Sequence, residues 1–353
     1  MDVQEPAPSQ LPTVSVVVPT YNRADRLPYV LRPVLADPAV SEVLIVDDGS
    51  TDTTWEWLQR AASDEPRLRP RRVDNGGAAH ARQAGVEYAT GDVVLFLDDD
   101  VVIGDGIVTR HAQAHASARD LVLVGYVPNV LPERRRPGDF AAYLYSSEYE
   151  SQCARYEADP ESILTSLYGG HFSLPRRACL EVGASSPKWG MSMVHNAYHE
   201  DQDFGLRLRK AGLHGRFDRT LLGEHVFTRP LAGFLRDAER QGAGRWLVHH
   251  LHQEVLGPLP ADAFTHGLPL PARWLLALGR LPGVHPPLLR ALTTMVGLLG
   301  EARLFTAQTL VVRLARRLAQ QEAALRMTHR HVGPVQEGQF TEDACSPPSG
   351  TPT

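Results

Sequence analysis

Three consecutive carboxylates follow the most apolar short run of the chain. Residues 93–97 read VVLFL, a continuous β-prone run typical of a strand that is covered on both faces. Asp98, Asp99 and Asp100 come directly after it, and such adjacent negative charges repel one another unless a cation or hydrogen-bond donors neutralise them. A solvated acidic turn is the alternative for an isolated run of this kind. A hard divalent metal that carries a diphosphate fits three carboxylates at a strand end best.

Polar groups that suit a nucleotide also follow the first two predicted strands. Residues 19–23 read PTYNR after the first strand, and residues 47–52 read DDGSTD after the second. Before the acidic strand lies NGGAAHAR, residues 75–82, whose glycine pair opens a predicted helix. Glycine permits close backbone approach, and a helix N-terminus favours anions. Each motif alone is typical of an ordinary turn, whereas their order and spacing together predict a nucleotide site.

The elements that must position these motifs alternate along the chain. The patterns predict strands within 14–19, 42–48, 69–73, 92–98, 121–127 and 168–174, and helices within 24–36, 53–62, 77–89, 107–117, 140–156, 176–182 and 200–211, with a polar loop over 184–199. Strands that alternate with helices of this length indicate βαβ units and a parallel sheet. Because ligands bind at the carboxyl ends of such strands, we expect one ligand-binding edge.

Composition limits the class of protein. The 353 residues carry a formal net charge of −5 and are 43 % hydrophobic, which allows a sizeable core and argues against a nucleic-acid partner. The three cysteines are scattered, so they predict no disulfide framework and favour a reducing compartment. No apolar run reaches transmembrane length, and the N-terminus lacks a signal-peptide pattern. We therefore expect a cytoplasmic protein.

Six segments together resemble the family 2 glycosyltransferases. They read VSVVVPTYNR (14–23), EVLIVDDGSTD (42–52), NGGAAHARQAG (75–85), GDVVLFLDDDV (91–101), GGHFSLPR (169–176) and HEDQDFGLRLRKAG (199–212). The resemblance implies the GT-A fold, a Rossmann-like, mostly parallel α/β sheet flanked by helices. It also implies metal-dependent, inverting transfer of a sugar from a nucleoside diphosphate to an acceptor hydroxyl.

The resemblance and the composition together predict four parts of the chain. They are a disordered lead at 1–12, the GT-A domain at 13–235, a helical C-terminal extension at 236–331 and a disordered tail at 332–353.

The resemblance assigns the nucleotide side of the site. A nucleobase imide N–H needs a hydrogen-bond acceptor, and Asp48 or its neighbour Asp47 supplies it. Arg82 is a candidate for phosphate contact because no lysine occurs before Lys188; an exposed helix arginine is the alternative. The other residues assigned to the donor are Pro19, Tyr21 and Gly76.

The resemblance also assigns a cation, Mg²⁺ or Mn²⁺. Asp100 matches the family's metal ligand, and Asp99 or Asp98 would hold the ribose or a metal-bound water. His225 matches a position where relatives place a histidine against the metal, and an ordinary loop histidine is the alternative. The cation would offset the charge of the departing diphosphate.

Inversion needs a base on the face opposite the leaving group. Glu200 and Asp201 match the family's ED pair, and Asp201 is the predicted base. Because both acids open a predicted helix, whose N-terminus stabilises anions, the alternative is that they only cap it. Asp203 and Arg207 lie at i,i+4 and predict a structural ion pair. The residues assigned to the acceptor are Gly169, Gly170 and His171, the last of which departs from the asparagine common in the family.

The C-terminal third leaves the acceptor open. QGAGRW (241–246) resembles the QxxRW element of processive synthases, but it is one residue too long and no membrane helices accompany it, which predicts a non-processive enzyme. Residues 288–325 predict amphipathic helices with several arginines, which suit peripheral contact with the inner face of an anionic membrane. The interpretation that the sequence favours is a cap on the catalytic domain or on the second subunit of a homodimer. The donor base (UDP, GDP or dTDP) and a glycan, lipid-linked or small-molecule acceptor are left open, and the rival function is an inactive nucleotide-sugar-binding scaffold.

Overall fold

One mixed sheet organises the residues that the computed structural model describes, which are 11–185, 198–225 and 229–330. The strands are β1 (Val14–Thr20), β2 (Val40–Asp47), β3 (Leu68–Arg72), β4 (Val93–Leu97), β5 (Val101–Ile103), β6 (Leu121–Tyr126), β7 (His171–Pro175) and β8 (His214–His225). The helices are α1 (Leu27–Ala36), α2 (Thr54–Asp64), α3 (Ala78–Tyr88), α4 (Ile107–Ala116), α5 (Phe140–Ala158), α6 (Ser162–Thr165), α7 (Arg176–Val182), α8 (Glu200–Lys210), α9 (Leu231–Leu251), α10 (Gln253–Leu256), α11 (Leu270–Leu278), α12 (His285–Glu301) and α13 (Phe305–Arg330), with a 3₁₀ turn at Pro137–Asp139.

The strand order is β3-β2-β1-β4-β7-β6-β8-β5. The first four strands in this order are mutually parallel, so their carboxyl ends meet at one edge as predicted. β7 runs antiparallel to both β4 and β6, and β8 is parallel to β6. The amino end of β7 therefore lies at the same edge, where His171 pairs with Leu97.

Helices cover both faces of the sheet. On one face α1, α2 and α4 bury Val30, Leu58 and Val108, and on the other α3 and α8 bury Val86 and Phe204. Removing an aliphatic side chain of this size from water contributes about 1.5–3 kcal/mol. Coverage on both faces explains why β4 is an uninterrupted apolar run and why every residue of β1 is buried, and it confirms the predicted α/β fold.

The sequence analysis does not predict two of the strands, β5 and β8. β5 has three residues and pairs antiparallel with the end of β8, where Val101 lies opposite His225. The sequence analysis treats His225 as a loop residue. That prediction is wrong, because His225 is the last residue of β8 and pairs with Val101. The predicted lead and tail, and most of the loop predicted over 184–199, lie outside the described residues.

The C-terminal helices form a bundle beside the sheet. The segment predicted at 288–325 forms the helices α12 and α13, which bury Val296, Val312 and Leu318 against their neighbours. α9 runs through the predicted boundary at 235–236 without a break. Among the helices that the structure describes, none is both long and apolar enough to cross a bilayer.

Candidate active site at the carboxyl edge of the sheet

Asp48 joins two of the predicted motifs. Its carboxylate follows β2 and accepts hydrogen bonds from the backbone N–H groups of Gly76 at 2.8 Å and Gly77 at 2.9 Å. Asn75 Nδ2 donates to the Asp48 carbonyl at 2.8 Å. Asp48 therefore holds the glycine loop before α3 in place, while its oxygens keep further lone pairs for a ligand.

Asp47 is turned the other way. It is fully buried, its Oδ1 accepts the Ser50 N–H at 3.0 Å, and its Oδ2 lies 3.3 Å from Arg72 Nε. Of the two candidates for the nucleobase, Asp48 lies at the loop edge and Asp47 supports the turn after β2.

The loop after β1 is fastened to the loop after β2. Asn22 adopts a positive φ of 56°, which asparagine tolerates better than most residues, and its Oδ1 accepts the Thr51 N–H at 2.8 Å. Tyr21, one residue earlier, keeps 44 % of its surface exposed, and Pro19 is buried within β1. An exposed aromatic ring at this edge is available for stacking on a base.

Each of the three consecutive carboxylates has a different partner. Asp98 Oδ1 accepts from Arg82 Nη2 at 2.7 Å, Asp99 Oδ1 lies 3.4 Å from Arg23 Nε, and Asp100 Oδ2 lies 3.5 Å from His225 Nε2. The three groups therefore fan outward in separate directions, as repulsion between adjacent anions requires.

Burial sets the proton affinity of this acidic run. Burial and the neighbouring Asp100 raise the pKa of Asp99 to about 6, although Arg23 opposes the shift. Burial also raises the pKa of Asp98 against the opposing effect of Arg82. Burial would raise the pKa of Asp100 too, but His225 and the nearby arginines lower it below the usual value. Asp100 is thus the carboxylate of the three held most firmly as an anion.

Glu200 and Asp201 form the first turn of α8. The Oδ2 of Asp201 accepts the Gly169 N–H at 3.0 Å, and its Oδ1 accepts the Gln202 N–H at 2.8 Å. Burial and the adjacent Asp201 raise the pKa of Glu200 to about 7. Burial likewise raises the pKa of Asp201, against the opposing effect of Arg82. Asp201 therefore bridges to the segment before β7, which a simple helix cap would not do.

Arg82 ties the two acidic groups together. Its guanidinium, on α3, lies 2.7 Å from Asp98 and 3.7 Å from Glu200 Oε1, and only 9 % of its side chain is exposed. The alternative of an exposed helix arginine is therefore wrong. One buried cation shared among several carboxylates leaves an excess of negative charge at this edge.

Gly169 and Gly170 lie between these groups. A Cβ on Gly169 would come within 3.1 Å of the Asp201 Cβ, and one on Gly170 within 3.2 Å of Asp98 Oδ2. The Asp98 N–H donates to the Gly170 carbonyl at 3.0 Å. The glycines thus allow the two acidic groups to approach each other closely.

His171 does not reach the cleft. Its imidazole is 1 % exposed and its Nε2 lies 3.0 Å from His111 Nε2 on α4. Ser173 Oγ lies 2.6 Å from His111 Nδ1 and 2.8 Å from His115 Nε2. These residues form a buried histidine cluster between β7 and α4, so the His171 imidazole lies in the interior and is not exposed at the cleft.

The residues at the acidic edge fit a divalent cation that arrives with its ligand. Within the described residues, no three acidic, histidine or cysteine side chains converge to hold a metal alone. Mg²⁺ commonly binds through one or two carboxylates and completes its shell with substrate phosphates and water. Asp100 beside His225 supplies such a partial set, and burial together with the neighbouring Asp100 raises the pKa values of Asp98 and Asp99, an effect that a cation would oppose.

Several contacts at this site were not predicted. Arg23 belongs to a quoted motif, yet its partner Asp99 is distant in sequence. Asp203 forms the predicted ion pair with Arg207 at 3.0 Å, but it also accepts from His252 Nε2 at 2.8 Å. No local pattern pairs residues 49 positions apart, so only the three-dimensional fold reveals these contacts.

A sheet of this order, with helices on both faces and acidic groups at the ends of β2 and β4, has the GT-A fold that the sequence predicts. The family model described as glycosyl transferase family 2 matches residues 15–181. Residues 15–181 therefore form a region that is similar to the family 2 glycosyltransferases.

Curated relatives match part of the chain. The glycosyltransferase YfnE of Bacillus subtilis, described as uncharacterized, is 27 % identical over 192 residues, which cover 54 % of this chain and 44 % of YfnE. Validoxylamine A glucosyltransferase of Streptomyces hygroscopicus subsp. limoneus is 39 % identical over 140 residues, 36 % of this chain and 30 % of that protein. The chain therefore matches less than half the length of either relative.

A solved structure shares the fold over nearly the whole chain. Mannosyltransferase PcManGT from Pyrobaculum calidifontis, in complex with GDP-Man and Mn²⁺, superposes with a TM-score of 0.57 at 19 % identity. The superposition covers 92 % of this chain and 91 % of that one. The likeness extends to the C-terminal helices as well as the sheet.

Proposed function

We propose that the chain is a metal-dependent, inverting glycosyltransferase that transfers one sugar from a nucleoside-diphosphate donor to an acceptor hydroxyl. The observation that carries the proposal is the position of Arg82, whose guanidinium lies between Asp98 on the donor side and Glu200 beside the predicted base. The proposed donor site and the proposed general base would therefore be separated by a single side chain, that of Arg82.

On the donor side, the chain offers a cradle for a nucleoside diphosphate. Asp48 would accept the imide N–H of the base, and the exposed ring of Tyr21 would stack on it. Asp100, with His225, would hold Mg²⁺ or Mn²⁺, and Asp98 or Asp99 would take the ribose or a metal-bound water. The cation would supply charge neutralisation at the diphosphate. GDP-Man and Mn²⁺ in the Pyrobaculum enzyme are a precedent for such ligands in this fold.

On the acceptor side, Asp201 would act as the base. The acceptor hydroxyl passes its proton to Asp201 as its oxygen forms a bond to the anomeric carbon. The bond from that carbon to the diphosphate breaks, and its electron pair leaves on the diphosphate oxygen. Because attack and departure occur on opposite faces, the anomeric configuration inverts.

The electrostatics support this role for Asp201. A base is most effective when its pKa lies near the working pH, and burial raises the pKa values of both Asp201 and Glu200. The hydrogen bonds from Gly169 and Gln202 fix the orientation of the Asp201 carboxylate. Glu200 and Asp201 would then titrate as a pair, because the proton affinity of each carboxylate depends on the charge of the other.

The acceptor class is open among glycan, lipid-linked and small-molecule hydroxyl compounds. The name of the Streptomyces relative describes a glucosyltransferase that acts on validoxylamine A, which is a precedent for a small molecule. We further propose a cytoplasmic, non-processive enzyme.

The test is a donor screen on the full chain. UDP-, GDP- and dTDP-sugars are offered with Mg²⁺ or Mn²⁺, with thermal shift to follow binding and nucleotide release to follow slow hydrolysis. We expect one donor to stabilise the protein only with metal. Asp100→Ala should abolish this metal-dependent shift, and Asp201→Asn should keep the shift while losing turnover.

Asp105→Ala is the matched control, because Asp105 is an exposed acid just after β5 and should leave the shift unchanged. If no nucleotide sugar binds with or without metal, the proposal fails. Donor binding without turnover in the unmodified chain, with every acceptor class offered, would instead identify a binding scaffold.

A further inference from the structure

The helix α11 presents an apolar stripe to solvent. Leu270, Trp274 and Leu278 follow one another at i, i+4 and i+8, a spacing that places them along one side of a helix. They keep 67 %, 70 % and 50 % of their surface exposed, and Leu281 just after the helix keeps 52 %. Soluble proteins seldom expose a tryptophan and three leucines side by side, because contact between such an apolar patch and water is unfavourable.

The opposite side of α11 fixes this orientation. Leu276 is completely buried among Leu292, Ala315 and Leu318 of the helices α12 and α13. Gln321 Nε2 donates to the Leu276 carbonyl at 3.1 Å. The helix is therefore held by its inner side, and the outer stripe cannot turn inward without breaking these contacts.

The surroundings of the stripe are basic. Residues 263–300 contain no aspartate or glutamate but include Arg273, Arg280 and Arg290. All three arginines are exposed. Arg280 donates to the Ala261 carbonyl and Arg290 to the Pro286 carbonyl, and both of these acceptors are neutral.

We propose that this stripe, Leu270, Trp274, Leu278 and Leu281, docks on the surface of an anionic phospholipid bilayer. Leucines and tryptophan would enter the boundary between headgroups and acyl chains, and the neighbouring arginines would meet the lipid phosphates. A second copy of the chain is a poorer occupant, because a symmetric interface would bring the same arginines of the two copies together.

The stripe on α11 lies outside residues 288–325, the segment for which the sequence suggests membrane contact. There the apolar residues of the amphipathic helices are largely used inside the bundle, whereas the stripe on α11 is left over. Membrane docking of this kind does not depend on the proposed transferase activity.

The experiment is co-sedimentation of the full chain with vesicles. Vesicles of phosphatidylcholine alone are compared with vesicles that contain phosphatidylglycerol, at low and high salt. We expect binding to the anionic vesicles, weakened by salt because the Debye length shrinks from about 10 Å at 0.1 M to about 3 Å at 1 M. Trp274→Ser with Leu278→Ser should lower the partition coefficient by about tenfold or more.

Two control variants match these changes. Tyr29→Ser removes an aromatic ring that is also 70 % exposed but lies on α1, and Arg32→Ser removes an exposed arginine of the same helix. Both should bind vesicles as the unmodified chain does, whereas Arg273→Ser with Arg280→Ser should lose the preference for anionic lipid.

Absence of vesicle binding, or equal loss in the Tyr29 and Trp274 variants, would overturn the proposal. Sedimentation velocity of the same samples tests the rival occupant. A dimer that dissociates in the Trp274 variant, with no vesicle binding, would assign the stripe to a second copy. Donor-induced thermal shift should persist in the Trp274 variant, which keeps this test separate from that of the transferase site.

Discussion

At the scale of single residues, the site is governed by a shortage of positive charge. Asp98, Glu200 and Asp201 share the guanidinium of Arg82, so each carboxylate is only partly neutralised. Burial raises the pKa of all three, and Arg82 opposes each shift. The proton affinity of the proposed base is therefore set as much by Arg82 on α3 as by its own helix.

Replacing Arg82 should move the pH dependence of transfer. A base must be ionised, so kcat/KM falls as pH drops through its pKa, and loss of the cation raises that pKa. We expect the acid limb of the kcat/KM profile to shift to higher pH in Arg82→Gln and less so in Arg82→Lys. Steady-state kinetics between pH 5 and pH 9 measure this shift.

A thermal melt and the donor-binding shift serve as controls for the Arg82 variants, since a buried cation also stabilises the fold. If both variants lower the maximal kcat/KM but leave the acid limb of the pH profile unchanged, Arg82 acts only by stabilising the structure.

At the scale of elements, β7 and α4 are joined by the buried histidine cluster. The imidazole rings of His111 and His171 lie 5.0 Å apart between centroids, and Ser173 links His111 to His115. Burial lowers the pKa values of His115 and His171 to about 4 and that of His111 well below its usual value. The groups that face this cluster are Arg110 on α4 and Arg216 on β8, both cationic.

This cluster should make the fold labile in mild acid. In the unfolded chain a histidine binds its proton near pH 6.5, whereas the folded protein resists protonation down to about pH 4 at His115 and His171. The unfolded state thus binds more protons in that window, so the free energy of unfolding decreases as pH falls from about 6.5 to 4.

Urea denaturation of His115→Gln across this range should show a shallower loss of stability than the unmodified chain. His266→Gln is the matched control, because that side chain is 87 % exposed and should leave the slope unchanged. Identical slopes for His115→Gln and the unmodified chain would contradict the prediction.

The same scale shows what the sequence does and does not reveal. Predominantly apolar runs predict β1, β2 and β4, because burial on both faces of the sheet favours apolar residues at consecutive positions. The glycine pair and the strand-end acids predict a polar edge of the sheet, where Asp48 accepts from the N–H groups of Gly76 and Gly77. β5 is too short for any periodicity, and the contacts of Arg82 and His252 depend on which helices become neighbours. The sequence does not reveal that His171 is buried against His111, because the two residues lie 60 positions apart.

At the scale of the molecule, the C-terminal bundle supports the proposed base. A Cβ on Gly244 of α9 would collide with the backbone carbonyl of Tyr198, and one on Gly242 with the backbone of Gln320 on α13. His252 holds Asp203 on α8. The glycines of QGAGRW therefore serve close helix packing beside the segment that leads into Glu200.

Gly244→Ala should displace the start of α8 without touching the donor loops. Because misplacement of a catalytic group by about 1 Å can reduce the rate by roughly 100-fold, we expect turnover to fall by about tenfold or more. The donor-induced thermal shift should be retained. Paired measurements of kcat and of the donor Kd check this expectation.

Gly297→Ala is the matched control within the same bundle. A Cβ at Gly297 on α12 meets nothing within 4 Å, so this variant should gain up to about 1 kcal/mol from helix propensity and keep full turnover. Equal turnover in the two variants would show that the bundle does not position α8.

The reversed direction of β7 has a consequence for how such a protein can diversify. β6 ends and β7 begins at the same edge of the sheet, so residues 127–170 form an excursion whose two ends are anchored on neighbouring strands. Lengthening such an excursion changes its closure entropy only slowly and leaves the strand register intact. Insertions and deletions there can change the residues beside the acidic edge while the acids at the ends of β2 and β4 stay in place. If the proposed function holds, one catalytic chemistry could be inherited unchanged while its acceptor is replaced.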